Sequence, residues 1–158
     1  MGFHVVAIDD DSALLDTFRR LLIRVLPRAV VHTETNPILG MRYVRERPEV
    51  QAVLLDVRMP LLNGQSAAAW VRYHRPEVAL VAWTADEQAI PFLGEIGCPV
   101  FSKRDDPRRL VAHLQQLEAL RGSHAPPTPE HEPVLRAMAQ QVALLIDPEV
   151  VMVRREVL

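Results

Sequence analysis

The chain has 158 residues, 49% of them hydrophobic and 24% charged, and a formal net charge of −2. That length suits one domain with a sizeable core plus an appendage, and the near-neutral charge excludes a general basic attraction to nucleic acid or to a membrane surface. A single cysteine, Cys98, excludes an internal disulfide, and no apolar run is long enough to span a bilayer.

His4 to Ile8 reads as a first strand, followed at once by Asp9, Asp10 and Asp11. Asp11 or Ser12 can cap a helix whose apolar residues, Leu14, Leu15, Phe18, Leu21, Leu22 and Val25, recur at helical spacing until Pro27 ends it. Ala29 to His32 is a short β-branched strand. Asn36-Pro37 supplies a cap and then a proline at the first helical position, opening a helix toward Arg47.

Gln51 to Leu55 is a third strand, and it runs straight into Asp56. The stretch V-L-L-D-V-R-M-P, with Asn63-Gly64 beyond it, is a short apolar run bounded by turn residues, as in a strand buried on both faces. Gly64 to His74 is an alanine-rich helix with Trp70 and Val71 turned inward. Val78 to Trp83 is a fourth strand, ending at Thr84. The helix from Asp86 to Gly94 is expected to be short, because Pro91 interrupts it. Pro99 to Ser102 is a brief fifth strand, followed by Lys103. Asp106-Pro107 then starts a helix with Leu110, Val111, Leu114 and Leu117 on one stripe, ending at Gly122.

Strand then helix, five times over, implies right-handed crossovers and a parallel sheet with helices on both faces. No glycine-rich phosphate loop follows the first strand, which weighs against a dinucleotide fold. Residues 122–133 form a proline-rich linker. The remainder, 134–158, holds an apolar helix from Val134 to Ile146 and a V-V-M-V run. That helix needs a groove on its own domain or on a partner, and the V-V-M-V run can add a strand to a sheet edge, that of a second copy included. The segment is too short for a helix-turn-helix domain and has no basic reading face, so no direct nucleic-acid contact is expected.

The ends of the strands carry the chemistry. Asp9, Asp10 and Asp56 would meet at one sheet edge, and like charges so close repel unless a cation such as Mg²⁺ sits among them. Thr84 and Lys103 would join them, a hydroxyl and an ammonium able to hold phosphoryl oxygens. One carboxylate could accept a phosphoryl group as an acyl phosphate. Seventeen of the eighteen basic residues are arginine, so the lone Lys103 is either a chance surface residue or a compact charge fit for a tight site.

V-V-A-I-D-D-D-S, L-L-D-V-R-M-P-L-L-N-G, V-A-W-T-A and Lys103 together resemble the receiver domain of two-component response regulators, over His4 to about Arg121. The resemblance implies a flavodoxin-like (βα)5 three-layer sandwich over residues 1–121, with parallel strand order 2-1-3-4-5 and here a C-terminal helical extension. It implies Asp56 as phosphoacceptor, and Mg²⁺ held by Asp9, Asp10, Asp56 and the backbone carbonyl of Arg58. Thr84 is then a switch hydroxyl, Lys103 a counter-charge, and Ala85 a small residue leaving the phosphate room. The donor would be a histidine kinase or phosphotransfer protein, and the chain a phosphoacceptor rather than a multiple-turnover enzyme. A homodimer through the C-terminal segment or last helices is a further implied partner.

Two positions depart from the family's pattern. Arg104 stands where a proline usually follows the lysine, and Val100 stands where the family has an aromatic switch residue, with Phe101 one place later. They motivate a second reading, a receiver-shaped interaction module that does not switch. A third reading is a D-x-D phosphatase with Asp9 as nucleophile and Asp11 as acid. The six histidines show no metal-ligand spacing, Cys98 and both tryptophans read as core, and the expected location is the cytoplasm, with no signal peptide before the first strand.

Overall fold

The computed structural model of the chain describes residues 2–120 and 129–147. The V-V-M-V run and most of the linker therefore lie outside the described residues. Five parallel strands, β1 (His4–Ile8), β2 (Val30–Glu34), β3 (Ala52–Leu55), β4 (Ala79–Thr84) and β5 (Val100–Ser102), form one sheet in the order β2-β1-β3-β4-β5. This is the flavodoxin-like order. β1 and β3 are interior strands, paired from Val5↔Ala52 to Ile8↔Leu55, so the carboxyl ends that carry Asp9 and Asp56 lie side by side. β2 sits one to two residues later than its β-branched run suggested, because its register with β1 runs on to Ile8↔Glu34.

Alternate residues of the buried strands feed two separate cores. Val5, Ala7, Ala52, Leu54, Val81 and Trp83 face α1 (Ser12–Val25) and α5 (Pro107–Ala119). Val6, Ile8, Val53, Leu55, Leu80 and Ala82 face the other way, toward α2 (Pro37–Glu46), α3 (Gly64–His74) and α4 (Ile90–Glu95). The helices begin where the sequence places caps: the side chains of Asp11, Asn36, Asn63 and Asp106 each accept an N–H from the first turn of the helix that follows. α4 has only six residues, preceded by a single 3-10 turn over Glu87–Ala89, in keeping with Pro91 in its first turn.

α6 (Glu132–Ile146) adds a further layer. It starts two residues inside the expected linker because Pro133 fits the first helical turn, where its missing N–H costs nothing. Leu135, Ala139, Val142 and Ile146 recur every three or four residues and are at most 1% exposed. They pack chiefly on α3, and also on α2, of their own chain. Ala67, Ala68 and Ala69 are buried in the same core, so α3 is enclosed between the sheet and α6, and its small side chains let the helices approach closely. The C-terminal ends of α6, α4 and α2 are each held by arginine. Arg42 and Arg45 of α2 donate to the carbonyl of Ile146, at 3.1 and 2.7 Å. Arg72 of α3 donates to the carbonyls of Ile96 and Gly97 just past α4. Arg75 donates to those of Val44 and Arg47 at the end of α2.

Candidate functional site

Asp9 and Asp56 are the residues that follow β1 and β3. Both are buried, 2% and 4% exposed, while Asp10 faces solvent beside them. Oxygen atoms of the three carboxylates lie within 4.8 Å of one another. Lys103, one residue past β5, reaches across the crevice: its Nζ lies 2.7 Å from Asp9 Oδ2 and donates to Asp56 Oδ2 at 2.9 Å. One ammonium thus faces three acids.

The electrostatics follow from that imbalance. Burial raises the Asp9 carboxyl above its ordinary range. The Lys103 ammonium and the Asp11 N–H oppose this, and the charge of Asp56 adds to it. Burial also works against the Lys103 ammonium, but Asp9 and Asp56 outweigh it, and its pKa lies above the usual lysine value.

The loops hold the acids in place. Asp9 Oδ1 accepts the Asp11 N–H at 2.9 Å, and Asp56 Oδ1 accepts the Arg58 N–H at 3.1 Å. Gly64 closes the loop after Asp56 by donating its N–H to Val57 O at 3.2 Å. A side chain there would press on the backbone of Val57 and come within 2.7 Å of the Asp56 carbonyl, so glycine is required by close approach. Leu61, at φ 72°, is the turn residue of that loop, where Leu62 N–H donates to Pro60 O.

Thr84, 3% exposed, ends β4. Its hydroxyl accepts the Asp86 N–H at 3.0 Å, and its carbonyl accepts the Lys103 N–H at 3.1 Å. Ala85 next to it is exposed. The side chain of Arg58 is 77% exposed and pairs with Asp86, Nε to Oδ2 at 3.2 Å. Sequence reasoning assigned only the Arg58 carbonyl and did not single out Asp86. Its position two residues past Thr84, at the head of a capped turn, was the available signal. Asp11 is the cap of α1, bonded to the Leu14 N–H, and is not among the clustered acids.

Phe101 does not take the place of an aromatic at Val100. Val100 lies on the α4 side of β5, whereas Phe101 packs in the opposite core with its ring 5.1 Å from that of His113. Trp70, Trp83 and Cys98 are core residues, and burial pushes the Cys98 thiol up to about 12.

A divalent cation fits this donor set. It is all oxygen, three carboxylates converge, and the buried Asp9 Oδ2 accepts no hydrogen bond among the described residues although the ammonium is close. No helix among the described residues is long and apolar enough to cross a membrane.

Solved structures carry the same arrangement of strands and helices. A response regulator receiver domain protein (CheY-like) from Methanospirillum hungatei superposes at a TM-score of 0.69 with 18% identity, over 77% of this chain and 97% of that one. The chain has the receiver-domain fold. A response regulator receiver domain protein from Clostridium thermocellum gives 0.63 at 23% identity over 72% and 92%. The BeF3-activated DrrB receiver domain gives 0.64 at 21% identity over 75% and 99%. Among curated proteins, the chain is similar to the stress response regulator protein 1 of Meyerozyma guilliermondii, 26% identical over 90 residues. It is also similar to that of Clavispora lusitaniae, 30% identical over 84. These matches take in 54% and 52% of this chain but only 41% and 44% of the two relatives. No family model matches the chain.

Proposed function

We propose that this receiver takes a phosphoryl group on Asp56 from a phosphohistidine-bearing kinase or phosphotransfer protein and signals through protein contacts. The observation that carries the reading is the placement of one acid, Asp56, between two further acids and the only lysine of the chain.

A carboxylate oxygen of Asp56 attacks phosphorus in line while the P–N bond to the donor imidazole breaks. The imidazole nitrogen keeps the bonding pair and takes up a proton from solvent. Lys103, already on Asp56, moves its charge to a phosphoryl oxygen. Thr84 can donate its hydroxyl proton to another, since its oxygen serves only as acceptor toward Asp86. Mg²⁺ would be held by Asp9, Asp10, Asp56 and the Arg58 carbonyl, and when bound would neutralise the phosphoryl charge and the acids' mutual repulsion. The chain turns over no substrate beyond its own phosphoryl group.

Incubation with acetyl phosphate and Mg²⁺ tests this. One phosphoryl group should appear by intact mass and be absent from Asp56→Asn. No adduct on the native chain, or an equal adduct on the variant, overturns the reading. One observation favours a second reading, a receiver-shaped module that does not switch: the Thr84 side of β5 carries valine and no aromatic ring. Under it, phosphorylation leaves partner binding and oligomeric state unchanged.

A further inference from the structure

We infer that the state of the acid pocket is read out through α3 onto the docked helix α6, rather than through α4 and β5. The inference rests on Asp56 being the loaded residue, and three features of this chain carry it.

First, the β5 route lacks its moving part. Thr84 shares its face of the sheet with Val100, while Phe101 packs half-buried against the opposite core beside His113. α4 has six residues, and the turn beyond it is tied to α3 by Arg72. That side chain is 6% exposed and donates to Ile96 O at 2.9 Å and Gly97 O at 2.5 Å. A short helix anchored by a buried guanidinium has little freedom to shift on its own.

Second, α3 is coupled to the pocket by backbone. It begins at Gly64, eight residues past Asp56, and there is no room there for even a methyl group against the backbone of Val57 and Asp56. Asn63 caps it, holding the N–H groups of Gln65 and Ser66 at 2.9 and 3.3 Å. A ligand that draws in the loop after Asp56 therefore acts on the first turn of α3 directly.

Third, α6 is seated on that same turn. Ser66 Oγ lies 3.4 Å from Gln141 Oε1, within hydrogen-bond range, and the far end of α6 is held by Arg42 and Arg45. Close packing between α3 and α6 makes the pair respond as one body. Loading the pocket orders the loop and the α3 start, and α6 is held more firmly. By linkage, loosening α6 weakens loading by the same factor.

Hydrogen exchange on the full chain tests this, with and without Mg²⁺ and beryllofluoride. Amides of residues 135–146 are expected to slow at least threefold on loading, together with those of 57–63, and neither group should slow in Asp56→Asn. Arg42→Gln with Arg45→Gln, outside the pocket, should raise the beryllofluoride concentration for half-loading at least threefold. If residues 57–63 slow while 135–146 do not, or if 135–146 slow equally in Asp56→Asn, the readout is overturned although the phosphoacceptor reading stands. Unchanged half-loading in the double arginine variant also overturns it. If nothing slows, and acetyl phosphate leaves no adduct on Asp56, the phosphoacceptor reading falls and takes this inference with it.

Discussion

Arg58 and Asp86 meet across the mouth of the acid pocket, Nε to Oδ2 at 3.2 Å, joining the loop after β3 to the loop after β4. The Arg58 side chain is 77% exposed, so solvent screens the pair and it adds little to stability. Its position gives it another role, because the two loops it joins are those that follow Asp56 and Thr84. Arg58→Ala is expected to leave the melting temperature within about 1 °C, since an exposed pair contributes well under ~1 kcal/mol. It should shorten the lifetime of the aspartyl phosphate severalfold, read by intact mass after removal of the donor. An unchanged lifetime removes the pair from any role at the site.

Asp9 is where the charge imbalance is felt most. Its folded pKa is raised above 3.8, chiefly by burial. A raised carboxyl contributes stability in full below its unfolded pKa, and loses it as pH rises through the folded value. At neutral pH the ionised Asp9 is therefore a net cost to the fold without a cation. Asp9→Asn is expected to raise the metal-free melting temperature by roughly 2–4 °C, corresponding to ~1 kcal/mol in a domain of this size. It should also abolish most of the gain that Mg²⁺ gives the native chain. Scanning calorimetry at pH 7 with a chelator and with Mg²⁺ checks both, and a variant that melts lower without metal contradicts the account.

Two partly shielded histidines set the opposite slope. Burial lowers the pKa of His113, beside Phe101, and of His74, on α3, below 6.5. A histidine held neutral by the fold contributes stability that is complete above its unfolded pKa and is lost as pH falls below 6.5, since the unfolded chain then binds more protons. Denaturant midpoints should therefore fall between pH 6.5 and 5, and His113→Gln should flatten part of that fall. A fall that is no shallower in His113→Gln than in the native chain is incompatible with a ring that the fold holds neutral.

Much of this was legible in the sequence because strand ends announce themselves. Apolar runs stop at Asp9, Asp56 and Thr84, and one strand–helix order allows few sheets. Caps such as Asn36-Pro37 and Asp106-Pro107 fixed helix starts because a side-chain oxygen and a proline each act locally. What stayed hidden depends on long-range partners. An apolar helix after Pro133 shows that it needs a groove but not whose, and only the fold shows Leu135 and Val142 seated on the chain's own α3. The surplus of arginine over lysine does not by itself say where those side chains reach. In the fold, Arg42, Arg45, Arg72 and Arg75 each reach carbonyls of another helix or the turn beyond it, a contact that periodicity does not record.

Those arginine contacts lead to a direct comparison between two helix faces and two cations. Leu135 is fully buried between α6 and α3, whereas Val134 beside it is 54% exposed. Leu135→Ala should cost about 3 kcal/mol, removing buried methyl groups and leaving a cavity. Val134→Ala should cost under about 0.5 kcal/mol, as surface changes do. Arg72→Lys retains the charge but replaces a planar group that serves two carbonyls with one that cannot match its geometry. It should cost on the order of 2 kcal/mol, the range for a buried charge-assisted bond left unmade. Urea titrations of the full chain measure all three. Equal costs at 134 and 135 would mean that α6 does not sit on α3 in solution, and a neutral Arg72→Lys would mean that the turn after α4 is held by something other than that guanidinium.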